Sequence, residues 1–538
     1  VTDRWTPSQL TGTLRWVLSL EYAGGTWYLG QESITIDDGA GGTIVISDGL
    51  LDLADTTETL DLWSTDSPRR SVPVEFDLGV DVATLIEQGH DLAGCVAELA
   101  QLADGDDWSA RRPFVVGRLQ EPQYGADGEG VRASIEQDVL SSDETIDVVP
   151  VTHALLKEQL LLAGYFGVAL AVADVVAPVV IGTPGGGSEP GSNAPYCVSM
   201  LDGVGLVYRF YVLAAHAVEA TSVTLTSSEN QTSVVASVIY VTIVGQVIAI
   251  AVEDVTFSAM TFSAVPVVTW DAGGGLVDQT GGVLQTAGDF LAWLLRLTEQ
   301  QVDHGRVNAA RQALSAFKVG AYLDESVTVA DYIRDAVLDI VPVSMMTGPR
   351  GVYPHVWDYT ATVDDAVAHF DTTEDPDIER EGLVTYEDAD RLANTVDLVY
   401  RWSPLFDGYT SILTSRGDGS APRLLFGPSA GQALSYYTDP VLARSVGRYG
   451  IRRDTVETAI VHDELTASRV LAWRSRRWAL PSRVVEYTCP QRWAWIEPGD
   501  FITVTDPELA WSERLCLVQS RAWASDGSVR YTLRVQEG

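Results

Sequence analysis

The chain has 538 residues, 46% apolar and 20% charged, which at roughly 100–200 residues per domain is material for about three to five domains with real cores. Seventy-four Asp and Glu stand against 35 Lys and Arg, a formal net charge of -39; the chain lacks the basic footprint of nucleic-acid binders and is repelled by phosphate backbones. Twenty Tyr and fifteen Trp exclude an intrinsically disordered chain.

The amino-terminal part reads as β. Leu14 to Tyr22 (LRWVLSLEY) alternates, and Gly24-Gly25 turns it into Trp27 to Ile36 (WYLGQESITI), a hairpin pattern. The spacing of Val82 to Leu102 predicts a helix covering one end of the sheet. Phe114 to Glu121 and Val131 to Asp138 predict a second hairpin around the turn-rich Gly125 to Gly130 (GADGEG). Short strands with one inserted helix suggest a partly closed barrel over residues 1–150.

From Ala154 the character changes. Leu160 to Ile181, apolar apart from Asp174, reads as a buried helix or strands, and Gly182 to Pro195 as a flexible linker or loop. Strand-like runs follow from Gly205 to Trp270. The most apolar, Ser233 to Val252, carries no charge over twenty residues. That length just suffices to cross a bilayer as a helix, but the run is crowded with β-branched residues, and Gly245-Gln246 sits where a hairpin turn would break it. The first reading is a buried hairpin containing Val238, Ile239, Tyr240, Val241, Gly245, Gln246, Val247 and Ile248. A tip that touches a membrane or plugs a tube, and a spanning helix, are the other readings. With the Gly-rich break at Gly273 to Gly282, residues 151–285 form an apolar, β-rich module.

Residues 286–345 read as a helical connecting segment. Asp289 to Phe317 places Phe290, Trp293, Leu294 and Leu297 on one face, and Thr328 with Asp331 opens a helix from Val329 to Ile340. After Pro342 a second β region, 346–538, has strands at Tyr353 to Tyr359, Thr395 to Trp402, Arg423 to Phe426, Arg483 to Tyr487, Phe501 to Thr505, Leu515 to Ser520 and Tyr531 to Val535. One helix interrupts it, Asp463 to Trp473, capped by Asp463 or Thr466. The fold class is therefore mainly β with α+β parts. Neither a solenoid repeat nor the alternation of a doubly wound sheet is visible.

Chemistry-bearing patterns are few. Gly427 to Gly431 (GPSAG) matches G-x-S-x-G, with Ser429 as nucleophile and Asp454 and His462 following in the order of an α/β-hydrolase triad. A nucleophile elbow needs a strand-turn-helix in a parallel sheet, whereas these surroundings read as antiparallel β and Pro428 restricts the turn. An ordinary Gly/Pro loop is expected. The seven histidines are scattered, without HExxH or HxH. Cys95, Cys197, Cys489 and Cys516 are too far apart for a CxxC site, and read as free, mostly buried thiols; only Cys489 and Cys516 are placed to meet, across neighbouring strands. The acidic turns Asp104 to Asp107 (DGDD) and Asp371 to Asp377 (DTTEDPD) lack EF-hand spacing and read as solvated loops. Walker-type and dinucleotide-binding glycine motifs are absent. No catalytic, metal or cofactor site is expected. Val1 to Trp5 (VTDRW) lacks the basic and apolar regions of a signal peptide, so assembly in a reducing cytoplasm is expected.

The last segment is the most informative. Ser445 to Gly450 (SVGRYG) leads through Thr466 to Val470 (TASRV) and Leu480 to Tyr487 (LPSRVVEY) to Trp495 to Thr505 (WIEPGDFITVT), and Val529 to Val535 closes it. Pro498-Gly499 makes a tight turn in which Gly499 can take φ > 0, Asp500 can accept from turn amides, and Phe501 to Thr505 returns into the sheet. This ordered series resembles the carboxy-terminal barrel of phage tail hub proteins, the baseplate-hub family of tailed phages. Val329 to Trp357 and Asn394 to Tyr400 (NTVDLVY) are similar to the middle of such hubs, while residues 151–285 match nothing in them and would be an inserted module.

The resemblance implies a multi-domain chain with two hub-type β-barrel domains, the inserted β-rich module and the short helical segment. It implies a homotrimer at the tail tip of the virion, presenting a pseudo-sixfold ring to the tail tube or distal tail protein. A threefold tip, spike or fibre protein would lie below, and a channel would pass the tape-measure protein and then DNA without specific binding. The hairpin at Ser233 to Val252 would be a plug or a host-membrane contact. No cofactor and no bond chemistry are implied. Other classes are a distal tail or receptor-binding protein, or a tail-associated hydrolase.

Overall fold

The computed structural model describes residues 14–536 except 23, 54–55, 60–70, 80–86, 88–91, 125–129, 138–143, 165–168, 171–174, 182–195, 202–206, 219–221, 228–232, 255–267, 271–283, 299–300, 349, 388–390, 404–407, 417–435, 438–439 and 525–526. The described part is mostly β, in several sheets, with few helices.

Nine strands build the amino-terminal sheet, in the spatial order 34–37, 43–48, 25–30, 14–22, 96–103, 112–124, 130–136, 71–77 and 50–53. Its centre is Leu14–Tyr22 against Val96–Ala103. The helix expected over Val82 to Leu102 is thus corrected at its carboxy-terminal part, which is a strand (VAELAQLA) buried on both faces from Leu99 onward. Alanine and leucine favour helix in isolation, but between two strands the packing of Ala97, Leu99 and Ala103 decides. Most of the rest of that predicted helix lies outside the described residues.

Opposite lies the carboxy-terminal sheet, ordered 368–371, 501–506, 511–523, 529–535, 482–489 and 379–387. Thr56–Thr59, from the amino-terminal part, pairs antiparallel with Trp511–Trp523. One continuous cluster then joins Leu18, Leu20, Phe76, Leu99 and Phe114 to Tyr487, Val518, Trp523, Tyr531 and Leu533. Trp16 marks the contact, edge-on to Phe114 at 5.2 Å and to Trp523 at 5.9 Å. Among the described residues neither sheet closes on itself, which corrects the barrel expected at the carboxy-terminal end; the two sheets cover each other's apolar faces instead.

A seven-stranded sheet within residues 151–285 runs 169–170, 196–201, 207–214, 246–254, 233–243, 222–227 and 268–270. Short ladders tie it in: 149–151 with 175–177, 179–181 with 321–323, and 145–146 with 327–328. Helix α1 (His153–Leu162) precedes it, and α2 (Ala287–Leu297), α3 (His304–Ala313) and α4 (Val329–Tyr332) follow. The single helix expected over Asp289 to Phe317 is two. Thr298 leaves the helical region at ψ 144, and Asp303 caps a fresh start by accepting from Arg306 N–H at 3.1 Å. Beyond α4 the chain widens into a π-turn, Ile333–Leu338. The hairpin Val343–Gly348/Gly351–Val356 leads on to a mixed sheet of 436–437, 408–416, 395–403 and 453–457, with α5 (Pro440–Tyr449) and α6 (Glu464–Trp478). Asp463, not Thr466, caps α6; the Thr466 hydroxyl instead accepts from the Lys318 N–H at 3.0 Å.

Candidate functional site

The residues that carry the resemblance meet at two turns. At the first, Gly499 stands at φ +95, a conformation L side chains rarely adopt. A Cβ there would lie 2.2 Å from the His355 ring. The Asp500 carboxylate accepts from Glu497 N–H at 2.8 Å, and the Asp500 carbonyl accepts from Val518 N–H at 2.8 Å. Gly499 N–H donates to the Val518 carbonyl at 2.7 Å. Gly499 and Asp500 thus clamp Trp511–Trp523 to the start of Phe501–Asp506. Arg306 of α3 reaches the same turn, donating to Glu497 at 3.2 Å and to the Tyr353 hydroxyl at 2.7 Å while lying over the Tyr353 ring. The turn is therefore a joint between sheet, helix and the 343–356 hairpin. The incoming loop is held from below: Arg521 donates to the carbonyls of Ala494 and Ile496, and Tyr531 to that of Trp493.

The second turn ends α5. Gly450 takes φ +72 and closes the helix with its N–H on the Val446 carbonyl at 3.0 Å. Fully buried Asn394 donates to the Ser445 hydroxyl at 3.0 Å and to the Gly450 carbonyl at 2.8 Å, and accepts from Arg452 N–H at 2.8 Å. One amide side chain thereby fastens Ser445 and Gly450 to the strand Thr395–Ser403.

Sequence reasoning missed the arginines of α6. Arg474 and Arg477 are buried, and both stack on Trp478 at about 4.5 Å. Arg474 is paired with Asp339 at 3.1 Å and Asp454 at 3.5 Å. Burial, and then the nearby Arg534 and Arg474, push the Arg477 guanidinium down to about 9, which leaves it charged at neutral pH. The Arg and Trp of WRSRRW were the available signal, but a charge run on a helix ordinarily marks a solvated face.

Ser429 and the GPSAG loop lie outside the described residues. Asp454 is engaged by Arg474, and buried His462 faces the Gly320 carbonyl at 3.0 Å, its pKa pushed down to about 4 by burial. The acidic turns are occupied by the chain's own donors. Asp371 accepts from Thr373 and Glu374, Asp375 from Arg492 and Trp493, and Asp104 pairs with Arg15. Among the described residues no group of three or more His, Cys, Asp or Glu is placed to hold a metal ion. Cys95, Cys489 and Cys516 are free thiols. Cys489 and Cys516 sit in strands separated by Val529–Val535, so they do not meet across neighbouring strands, and burial raises the Cys489 thiol far above its usual range.

Ser233–Ile243 and Gln246–Asp254 form a hairpin through Val244 and Gly245, at φ 51 and 79, one residue before the expected turn. One face, with Val241, Ile243, Ile248 and Ile250, enters the large core with the helices; the other, with Val238, Ala236, Ala249 and Ala251, packs on Tyr211, Leu213 and Tyr322. Covered faces explain the uncharged run. The exceptions lie at the turn, where Val244 is 77% exposed, Val247 41%, and Gly245 and Gln246 are also exposed, and along Ser233–Ile243, where Val235 is 70% and Tyr240 46% exposed. Tyr240 OH donates to the Val218 carbonyl at 2.8 Å. Among the described residues no helix is long and apolar enough to cross a membrane.

Residues 430–518 match the family model Phage-tail_3, described as "Putative phage tail protein". This span contains both turns. No curated protein matches the chain. Among solved structures, a tail protein from Neisseria meningitidis aligns over 97% of this chain and 96% of its own at 10% identity, with a TM-score of 0.35. A tail protein of prophage MuSo2 from Shewanella oneidensis aligns over 97% of both at 8% identity, with a TM-score of 0.31. A chain of a gene transfer agent virion covers 54% of this chain and 87% of its own at 13% identity, with a TM-score of 0.19. Superpositions this loose do not define a common fold.

Proposed function

We propose that the chain is a structural, non-enzymatic protein of a phage tail, and within the tail the hub at its tip. The observation that carries the reading is the tail-family match over residues 430–518, the stretch in which Ser445, Gly450, Gly499 and Asp500 each hold a turn. In this reading three copies form a ring, the amino-terminal and carboxy-terminal sheets of each copy offering two related surfaces to a sixfold tail tube or distal tail protein. A threefold tip, spike or fibre component docks below. The tape-measure protein and then DNA pass through the centre. Function is then symmetry adaptation, docking and gating. The charge of -39 supports a lumen that repels passing DNA and does not snag it; a ring with a neutral or basic lumen would remove that link. The exposed apolar end of the 233–254 hairpin, around Tyr240, Val244 and Val247, supports its use as a plug or host-membrane contact. Particles lacking that end should assemble tails but fail to eject DNA, and full ejection would count against this role. The tail-tip position is tested by labelling a tagged chain on intact particles. Label at the distal end of the tail is expected; label on the head, or none on particles, would overturn the reading.

A further inference from the structure

A surface cleft of about 180 Å³ opens between Tyr386, Arg448, Tyr449, Leu480, Pro481 and Arg483. In a chain with more than two acids for every base, this lining holds two guanidiniums and, among the described residues, no carboxylate. The excess continues behind the wall: Ser482, between Pro481 and Arg483, accepts from buried Arg534, which in turn bears on Arg477. Guanidiniums in a fork geometry take carboxylate or phosphate oxygens two at a time, and tyrosines beside them supply ring faces and hydroxyls.

Beside the cleft runs Glu379–Glu387, which among the described residues pairs only with Ser482–Cys489 and forms an edge of the carboxy-terminal sheet. Gly382, at φ +72, bulges the strand, and Leu383 and Tyr386 are 85% and 61% exposed. A polypeptide can pair along such an edge through its backbone while its side chains enter a neighbouring cleft. A nucleic acid cannot use the edge, and a polyanion is also repelled by the whole chain, whereas a short peptide meets mainly the charge within the screening length of about 8–10 Å, which in the cleft is that of Arg448 and Arg483, Glu379 and Glu381 standing at the far end of the strand.

We propose that this cleft and edge dock an extended acidic segment of a partner polypeptide, with a carboxylate held between Arg448 and Arg483 and its backbone running along Glu379–Glu387. The site is independent of the hub reading.

The test is fluorescence anisotropy of the full chain with a short labelled peptide alternating glutamate and valine, its glutamine counterpart, and an unlabelled oligothymidylate competitor. The glutamate peptide should bind, more weakly as salt rises. The glutamine peptide, and each of Arg448→Gln and Arg483→Gln, should lower affinity by about tenfold or more, the loss of one charge-assisted hydrogen bond. Both substitutions lie at the surface, and an unchanged melting temperature confirms folding. Equal binding of the two peptides, indifference to both substitutions, no binding, or displacement of the peptide by the oligonucleotide would each overturn the proposal.

Discussion

Gly499 joins two constraints that act at one atom, since its backbone angle excludes most side chains and the His355 ring occupies the place of a Cβ. Gly499→Ala should therefore lower stability by about 2–3 kcal/mol, read as a shift of the denaturation midpoint; an unchanged midpoint would contradict the geometry. His462 is neutral when folded, with its pKa pushed down to about 4, and takes up a proton near pH 6.5 when unfolded. The unfolded chain thus binds more protons between these values, and stability falls as pH drops from about 6.5 to about 4, by on the order of 3 kcal/mol. His216 acts in the same direction, because burial lowers its pKa by more than its bonds to the Ala217 carbonyl and Val180 N–H raise it. Denaturation across this range should show a shallower acid limb in His462→Gln; an identical slope would contradict the assignment. That Gly499 takes a positive φ and Asp500 accepts from a turn amide was legible because turn chemistry is local. Their partners Arg306, Tyr353 and His355 were not, because nothing in the spacing of distant segments says which will meet.

Elements were most legible where period and punctuation agreed. The strand at Leu14–Tyr22, the 112–136 hairpin and the start of α6 stand where alternation and Asp463 put them. Val96–Ala103 failed the same logic because burial on both faces erases the two-residue period, leaving only its Ala and Leu content to read. The hairpin within Ser233 to Val252 was legible from its β-branched residues, yet the turn itself was displaced by one residue, with Val244 in the left-handed region. That placement is unusual: a β-branched side chain at φ 51, 77% exposed, in a two-residue turn that favours Asn-Gly. Val244→Asn should raise stability by about 1 kcal/mol or more, seen as a higher midpoint. A lower midpoint would mean that Val244 is held there by packing.

At the scale of the molecule, the sheets of the first and last parts of the chain share one core, and Thr56–Thr59 completes a ladder on Trp511–Trp523. Thermal unfolding followed by tryptophan fluorescence and by circular dichroism should therefore show these two parts melting in one cooperative transition; separate transitions for fragments 1–150 and 346–538 that match those of the intact chain would contradict it. This union was not legible, since alternation tells which face of a strand is apolar and not what covers it. The barrel expected at the carboxy-terminal end was not found for the same reason. The hub reading adds a statement about copies, namely that the tail-family turns sit in a ring of three facing a sixfold tube. The most direct test is native mass measurement of the purified full chain, alone and mixed with its tail tube protein. The account predicts a species of three chain masses that binds the end of the tube; a protein that stays a single chain in both conditions would contradict it.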